Sequence, residues 1–217
     1  MTPRFITLEG GEGAGKSTQL KLLAQAFAAA GLSAITTREP GGSEGGEAIR
    51  NLVVSGAADR WNPTTESLLF MAARYDHLET KIKPALNNGQ WVLCDRFYDS
   101  TFVYQGIAKA VGTNWLDQLY AHLFGNFGPD LTFCLDLSPQ VGLTRTTKRG
   151  NVDESRFESM DISFHEQLRE GFAYLADRYP DRICRVNAEQ DMASVHKMLV
   201  TILNARFGLA LKPVAAV

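Results

Sequence analysis

No basic block, no paired cysteines and no long apolar run mark this sequence. Its 22 Lys and Arg are offset by 24 Asp and Glu, for a formal net charge of −2, and the cations are spread along the chain. A nucleic-acid partner would call for clustered cations, so none is expected. No apolar stretch reaches the roughly 20 residues that span a bilayer, so no membrane partner is expected either. The three cysteines, Cys94, Cys134 and Cys184, are far apart, and two sit inside apolar runs (WVLCD, LTFCLD). Without a CxxC pair they read as buried thiols, which fits neither zinc nor dithiol chemistry. The first residues enter a strand pattern instead of a charged leader. Together these absences lead to the expectation of a reducing, cytoplasmic setting. There is also no internal repeat and no low-complexity linker.

What is present is alternation. RFITLE (4–9), LSAITT (32–37), WVLCD (91–95), LTFCLD (131–136) and RICRVNA (182–188) read as strands. Continuous apolar runs ending in Asp are typical of buried parallel strands. Between them lie helical patterns at STQLKLLAQAFAAAG, 43–55, 64–87 and 190–206. The expected fold class is α/β, a parallel sheet with helices on both faces. The expected layout is one domain over 1–208, a lid near 145–157 and a loose tail over 209–217.

The first strand runs into Gly10, Gly11, Glu12, Gly13, Ala14, Gly15, Lys16, Ser17 and Thr18. This is a complete P-loop pattern, placed after a strand and opening a helix. Its glycines let backbone N–H groups converge on one anion, and the helix N-terminus adds partial positive charge. Lys16 suits the outer phosphates of a nucleoside triphosphate, and the Ser17 hydroxyl suits Mg²⁺. No Asn-Lys-x-Asp segment for reading guanine exists, which argues against a regulatory GTPase. Asp95 and Arg96 end a buried strand, at the edge where ligands of such sheets bind.

Three further stretches carry candidates. In 64–87, Leu68, Ala72, Tyr75, Ile82 and Leu86 form one stripe at helical spacing, read as the core face. Phe70 and Arg74 share the opposite face. They read either as a stacking plate and hydrogen-bond fork for a planar ring, or as packing and a solvated cation. DRFYDSTFVYQG (95–106) offers Ser100, Thr101, Tyr104 and Gln105 as polar groups for a base and sugar; Asp99 or Ser100 also suits a helix N-cap. LTRTTKRGNVDESRFE (143–158) places Arg145, Lys148, Arg149 and Arg156 around a Gly-Asn turn, which suits a lid over phosphates or an exposed helix end.

Taken together, EGGEGAGKST, TREPGG (37–42), LFMAAR (69–74), DRFYDSTFVYQG and KRG…SRFE resemble the bacterial thymidylate kinases, in order and spacing, over essentially the whole chain. The resemblance implies a P-loop nucleoside monophosphate kinase with a five-stranded parallel sheet. Its activity would be transfer of the γ-phosphoryl group of ATP to dTMP, with Mg²⁺, in a homodimer. By the same resemblance, Lys16, Ser17 and the loop amides hold the ATP phosphates and metal, and Glu12 approaches the deoxyribose 3′-hydroxyl. Glu39, beside Pro40, and Asp95 lie near metal and phosphates. Arg50 and Arg96 hold the dTMP phosphate. Phe70 stacks on thymine, Arg74 bonds its carbonyl, and Ser100, Thr101 and Gln105 line the base site. Tyr104 crowds the sugar 2′ position. Arg149 is the lid cation, with Arg156 as a second candidate. The P-loop interior here carries no basic residue, which gives Arg149 a chemical reason to supply one.

Overall fold

The computed structural model describes residues 2–57, 59–147 and 156–215. Among them, five strands form one parallel sheet in the order β2-β3-β1-β4-β5. The strands are β1 (Phe5–Glu9), β2 (Ala34–Arg38), β3 (Trp91–Asp95), β4 (Leu131–Asp136) and β5 (Ile183–Asn187). β1 lies in the centre, with Phe5 beside Val92 of β3 and Ile6 beside Leu131 of β4. All five residues of β1 are buried, as a strand covered on both faces requires. From β1 the chain goes out to β2 and back to β3 on one side, then crosses to β4 on the other, so a crevice opens at the carboxyl ends of these strands.

One face of the sheet packs against α1 (Lys16–Ala29) and α9 (Met192–Phe207), with Leu23, Phe27, Leu199 and Leu203 meeting Leu8 and Phe133. On the other face, Phe5, Val92 and Phe97 pack with Met71 of α3 (Pro63–His77) and Leu116 of α6 (Thr113–Phe124). α8 (Ile162–Arg178) covers the rest through Leu168 and Phe172. The helix starts are chemically marked. Asn62 accepts the Thr65 N–H and is followed by Pro63, whose missing N–H costs nothing at that position. Asp161 and Asp191 cap α8 and α9 in the same way.

Three expectations about placement are corrected. On α3, Leu68 and Tyr75 are 47% and 44% exposed, whereas Phe70, Met71, Arg74 and His77 are buried. The expected stripe runs through a π-helical turn at Leu78–Ile82, which leads into α4 (Lys83–Asn87). One inserted residue rotates the face by about 100°. Ile82 is therefore in the core while Leu68 and Tyr75 are not. Second, neither Asp99 nor Ser100 caps a helix. Both lie inside α5 (Tyr98–Thr101), which continues as a π-helical turn over Phe102–Ala108. Third, the described part of the tail, 209–215, is anchored at its start. Leu209 and Leu211 are buried in the core of α1 and α9, and the Asn204 side chain exchanges two 2.9 Å hydrogen bonds with the Leu211 backbone.

Candidate active site

The carboxyl ends of β1, β2 and β3 open into a cleft of about 360 Å³, within the usual size range for small-molecule sites. At one end is the phosphate loop. Gly13 has φ +69°, and a Cβ there would stand 2.2 Å from the Gly142 carbonyl oxygen. A Cβ on Gly142 would stand 2.3 Å from the Glu12 oxygen. The loop and α7 (Pro139–Thr147) thus approach backbone to backbone, which only glycine permits at both positions. Arg145 of α7 reaches the same loop, 3.4 Å from the Gly13 oxygen.

Lys16 is buried and bonds the Gly10 and Gly11 carbonyls at 3.1 and 2.8 Å. Burial and the nearby Arg96 lower its pKa, against the pull of Glu12, Asp95 and Glu9. A cation held that way is a strong partner for phosphate. Ser17 Oγ donates to Asp95 Oδ2 at 2.6 Å. These two hard oxygens suit Mg²⁺, which takes one or two protein ligands and completes its shell with water and phosphate oxygens. Among the described residues no group of three or more His, Cys, Asp or Glu gathers into a metal cage.

Arg96 occupies the centre of the cleft. Its φ of 70° is unusual for a residue with a side chain and costs about 1–3 kcal/mol. Nη1 bonds the Gly10 oxygen and Ser100 Oγ, both at 3.0 Å, and Nη2 lies 2.9 Å from Glu12 Oε1. The Tyr104 hydroxyl donates to the same Glu12 oxygen at 2.7 Å, and the guanidinium lies 5.1 Å from the Tyr104 ring centre. Burial alone would raise the Glu12 pKa, but Arg96, Lys16 and the Tyr104 bond outweigh it and hold it at about 2. Glu12 is therefore a fixed anion beside a fixed cation.

At the far end, Phe70, Arg74, Thr101 and Gln105 line the cleft. Arg74 donates to Glu39 Oε2 at 2.7 Å, to the Phe97 carbonyl at 3.0 Å and to Thr101 Oγ1 at 3.1 Å. Gln105 Nε2 donates to Glu66 Oε1 at 2.8 Å. Arg50, on α2 (Glu44–Val53), lines the near wall and bonds the Pro40 carbonyl at 2.6 Å. Glu39 lines the same cleft, beside Pro40. One oxygen takes Arg74 and the other lies 2.9 Å from His77 Nδ1, with only 3% of the side chain exposed. It braces the Arg74 guanidinium. Arg156 is also held by a carboxylate. It is buried, lies 2.5 Å from Glu66 Oε2 and bonds the Val53 and Ala57 carbonyls. Lys148 and Arg149 lie outside the described residues.

The sequence reading passed over Glu9, Glu66, His77 and Phe157. The Phe157 ring centre lies 6.4 Å from that of Phe70 and 5.6 Å from that of Tyr104, joining the two walls of the cleft. Glu66, Phe70, Arg74 and His77 recur at helical spacing, so the site-facing side of α3 carried a signal. A charged residue on the same line as Phe70 was its mark.

A family model described as thymidylate kinase matches residues 8–199. The chain belongs to the thymidylate kinase family. A thymidylate kinase from Caulobacter vibrioides is 50% identical over 205 residues, covering 94% of this chain and 98% of the relative. One from Magnetococcus marinus is 46% identical over 207 residues, covering 95% and 98%. A third, from Rhizorhabdus wittichii, is 46% identical over 203 residues, covering 94% and 98%. Thymidylate kinase membership agrees with the parallel sheet and with a phosphate loop facing a second polar pocket. Among the described residues no helix is long and apolar enough to cross a membrane.

Proposed function

We propose that the chain transfers the γ-phosphoryl group of ATP to the 5′-phosphate of dTMP, giving dTDP and ADP. The observation that carries this reading is the single cleft joining Lys16 and Ser17 at one end to Phe70 and Arg74 at the other, with Arg96 between them. Lys16 and the loop amides hold the donor phosphates. Ser17 and Asp95 would hold Mg²⁺, which would supply charge neutralisation at the donor phosphates. Arg96 and Arg50 hold the acceptor phosphate. Glu12 takes the sugar 3′-hydroxyl, Tyr104 fills the 2′ side, and Phe70 and Arg74 receive the base, with Ser100, Thr101 and Gln105 around it.

The acceptor is already an anionic oxygen nucleophile, so no general base is required. Catalysis is positioning plus charge neutralisation. Arg149 supplies the cation over the transferring group, and closure of its segment excludes water. The exposed Leu68, Ala72 and Tyr75 on α3 support a homodimer: Tyr75 packs on Phe124 of α6, so an apolar strip remains uncovered beside a second helix. The test is ADP release with a panel of acceptors. dTMP should be preferred; activity on dCMP or thymidine without dTMP would sink the reading. Sedimentation at micromolar concentration should give twice the chain mass.

A further inference from the structure

Glu9 closes the central strand, is 0% exposed, and has no part in the transfer just described. Both of its oxygens serve one short segment. Oε1 accepts the Phe97 backbone N–H at 2.6 Å, and Oε2 accepts the Ser100 hydroxyl at 2.5 Å. Ser100 Oγ in turn accepts Arg96 Nη1–H at 3.0 Å. The carboxylate therefore grips Arg96 twice, through the peptide that follows it and through the hydroxyl that its side chain touches. A positive φ in a residue with a side chain persists only where its surroundings over-determine it, and Arg96, at φ 70°, has such surroundings.

Direction matters in this relay. Above about pH 7, where Glu9 is ionised, it accepts only, so Ser100 must send its proton to Glu9 and turn a lone pair toward Arg96. An amide in place of the carboxylate can still accept from Phe97, but its NH₂ then donates to Ser100. Ser100 would then accept from both the amide and Arg96 and send its own proton elsewhere. Phe97 would stay bonded and Gly10 and Glu12 would still hold the guanidinium, but the hydroxyl it touches would no longer be polarised by a carboxylate, and its aim would loosen.

We propose that Glu9 is a positioning residue for the acceptor phosphate: through the Phe97 amide and the Ser100 hydroxyl it holds the Arg96 guanidinium aimed into the cleft. This rests on Arg96 as the cation for the dTMP phosphate. A residue that merely filled the core would affect both substrates or neither, whereas Glu9 acts on the acceptor side alone.

Steady-state kinetics of Glu9→Gln, Ser100→Ala, their double variant and Arg96→Ala test this. In Glu9→Gln the KM for dTMP should rise about tenfold while the KM for ATP stays within about twofold. The double variant should be no worse than Ser100→Ala by more than about twofold, because the two changes break one relay. Equal rises in both Michaelis constants overturn the proposal, as do wild-type kinetics with only a lower melting temperature, or fully multiplicative effects in the double variant. If Arg96→Ala leaves the dTMP KM unchanged, the acceptor-phosphate reading itself fails. If Arg96→Ala raises it and Glu9→Gln does not, only the role of Glu9 falls. Should Glu9→Gln not fold, Glu9→Asp, which keeps the charge but withdraws it from Phe97 and Ser100, decides: a raised dTMP KM with the ATP KM unchanged supports the relay, and wild-type values for both overturn it.

Discussion

Glu12 Oε1 lies 2.9 Å from Arg96 Nη2 and also accepts the Tyr104 hydroxyl, so one carboxylate oxygen ties the phosphate loop to the acceptor side. Glu12→Ala should raise the dTMP KM about tenfold or more, because the sugar 3′-hydroxyl loses a charged acceptor. The same loss should be small with 3′-deoxy-dTMP as acceptor, where the hydroxyl that Glu12 would hold is missing. Equal losses with both acceptors would place Glu12 in service of Arg96 alone.

Phe70 offers its ring to the cleft with only 9% of its surface exposed. Stacking of a base on an aromatic side chain is worth about 1–3 kcal/mol. Phe70→Ala should therefore raise the dTMP KM roughly 5- to 150-fold, with the ATP KM little changed. Titration calorimetry with dTMP reads the same loss directly.

Arg149→Ala should keep dTMP affinity and lose most turnover. An arginine that neutralises the transferring phosphoryl group contributes a factor of about 10³–10⁵ in related systems. Single-turnover kinetics separates this from product release. Unchanged turnover would shift the role to Arg145, which already reaches the loop, or to Lys148.

Glu66, 0% exposed, meets Lys109 at 2.8 Å and Arg156 at 2.5 Å and accepts from Gln105. Removing the carboxylate leaves two cations beside an apolar core. Glu66→Ala should cost about 3–5 kcal/mol, the usual penalty for breaking a buried pair. For a chain of this size that corresponds to a fall in Tm of roughly 6–20 °C. Thermal unfolding checks it, and loss of dTMP affinity should accompany it through Gln105.

The two carboxylates of the β1 end give opposite pH dependences. Burial, with Asp99 adding and Arg96, Ser100 and Phe97 opposing, pushes Glu9 up to about 7 from 4.5. Between those values the folded chain holds a proton that the unfolded chain has released, so this contribution falls as pH rises. Glu12, at about 2, contributes stability above pH 4.5 that is lost as pH falls toward 2. His165 and His196, both lowered by burial, add stability as pH rises through 6.5. Urea unfolding of wild type and Glu9→Gln at pH 5 and pH 8 isolates the first group. The stability of the wild type relative to the variant should fall between the two; a constant difference would show that Glu9 does not titrate there.

Much of the frame was legible because it is local. Apolar runs ending at Glu9, Asp95 and Asp136 gave the strands and their ligand-facing ends, and the loop from Gly10 to Ser17 carried its chemistry in its spacing. What escaped depends on contacts between distant segments. Nothing near Glu39 in sequence discloses Arg74 and His77 as its partners. Nothing near Arg156 discloses Glu66 of α3. Leu68 and Tyr75 had the periodicity of a core face, and apolar periodicity does not distinguish a core from an uncovered strip. The tail around Leu211 has no helical or strand pattern, yet it packs as side chains against α1 and α9.

The sheet order has a consequence for how the chain is made. β1 is synthesised first yet occupies the middle, and Phe5 must wait for Val92 and Ile6 for Leu131 before either edge is paired. A strand whose every residue is buried in the fold, with both edges bare, is a template for aggregation. During translation, therefore, the strand that leads into the phosphate loop keeps one edge unpaired until β4 emerges.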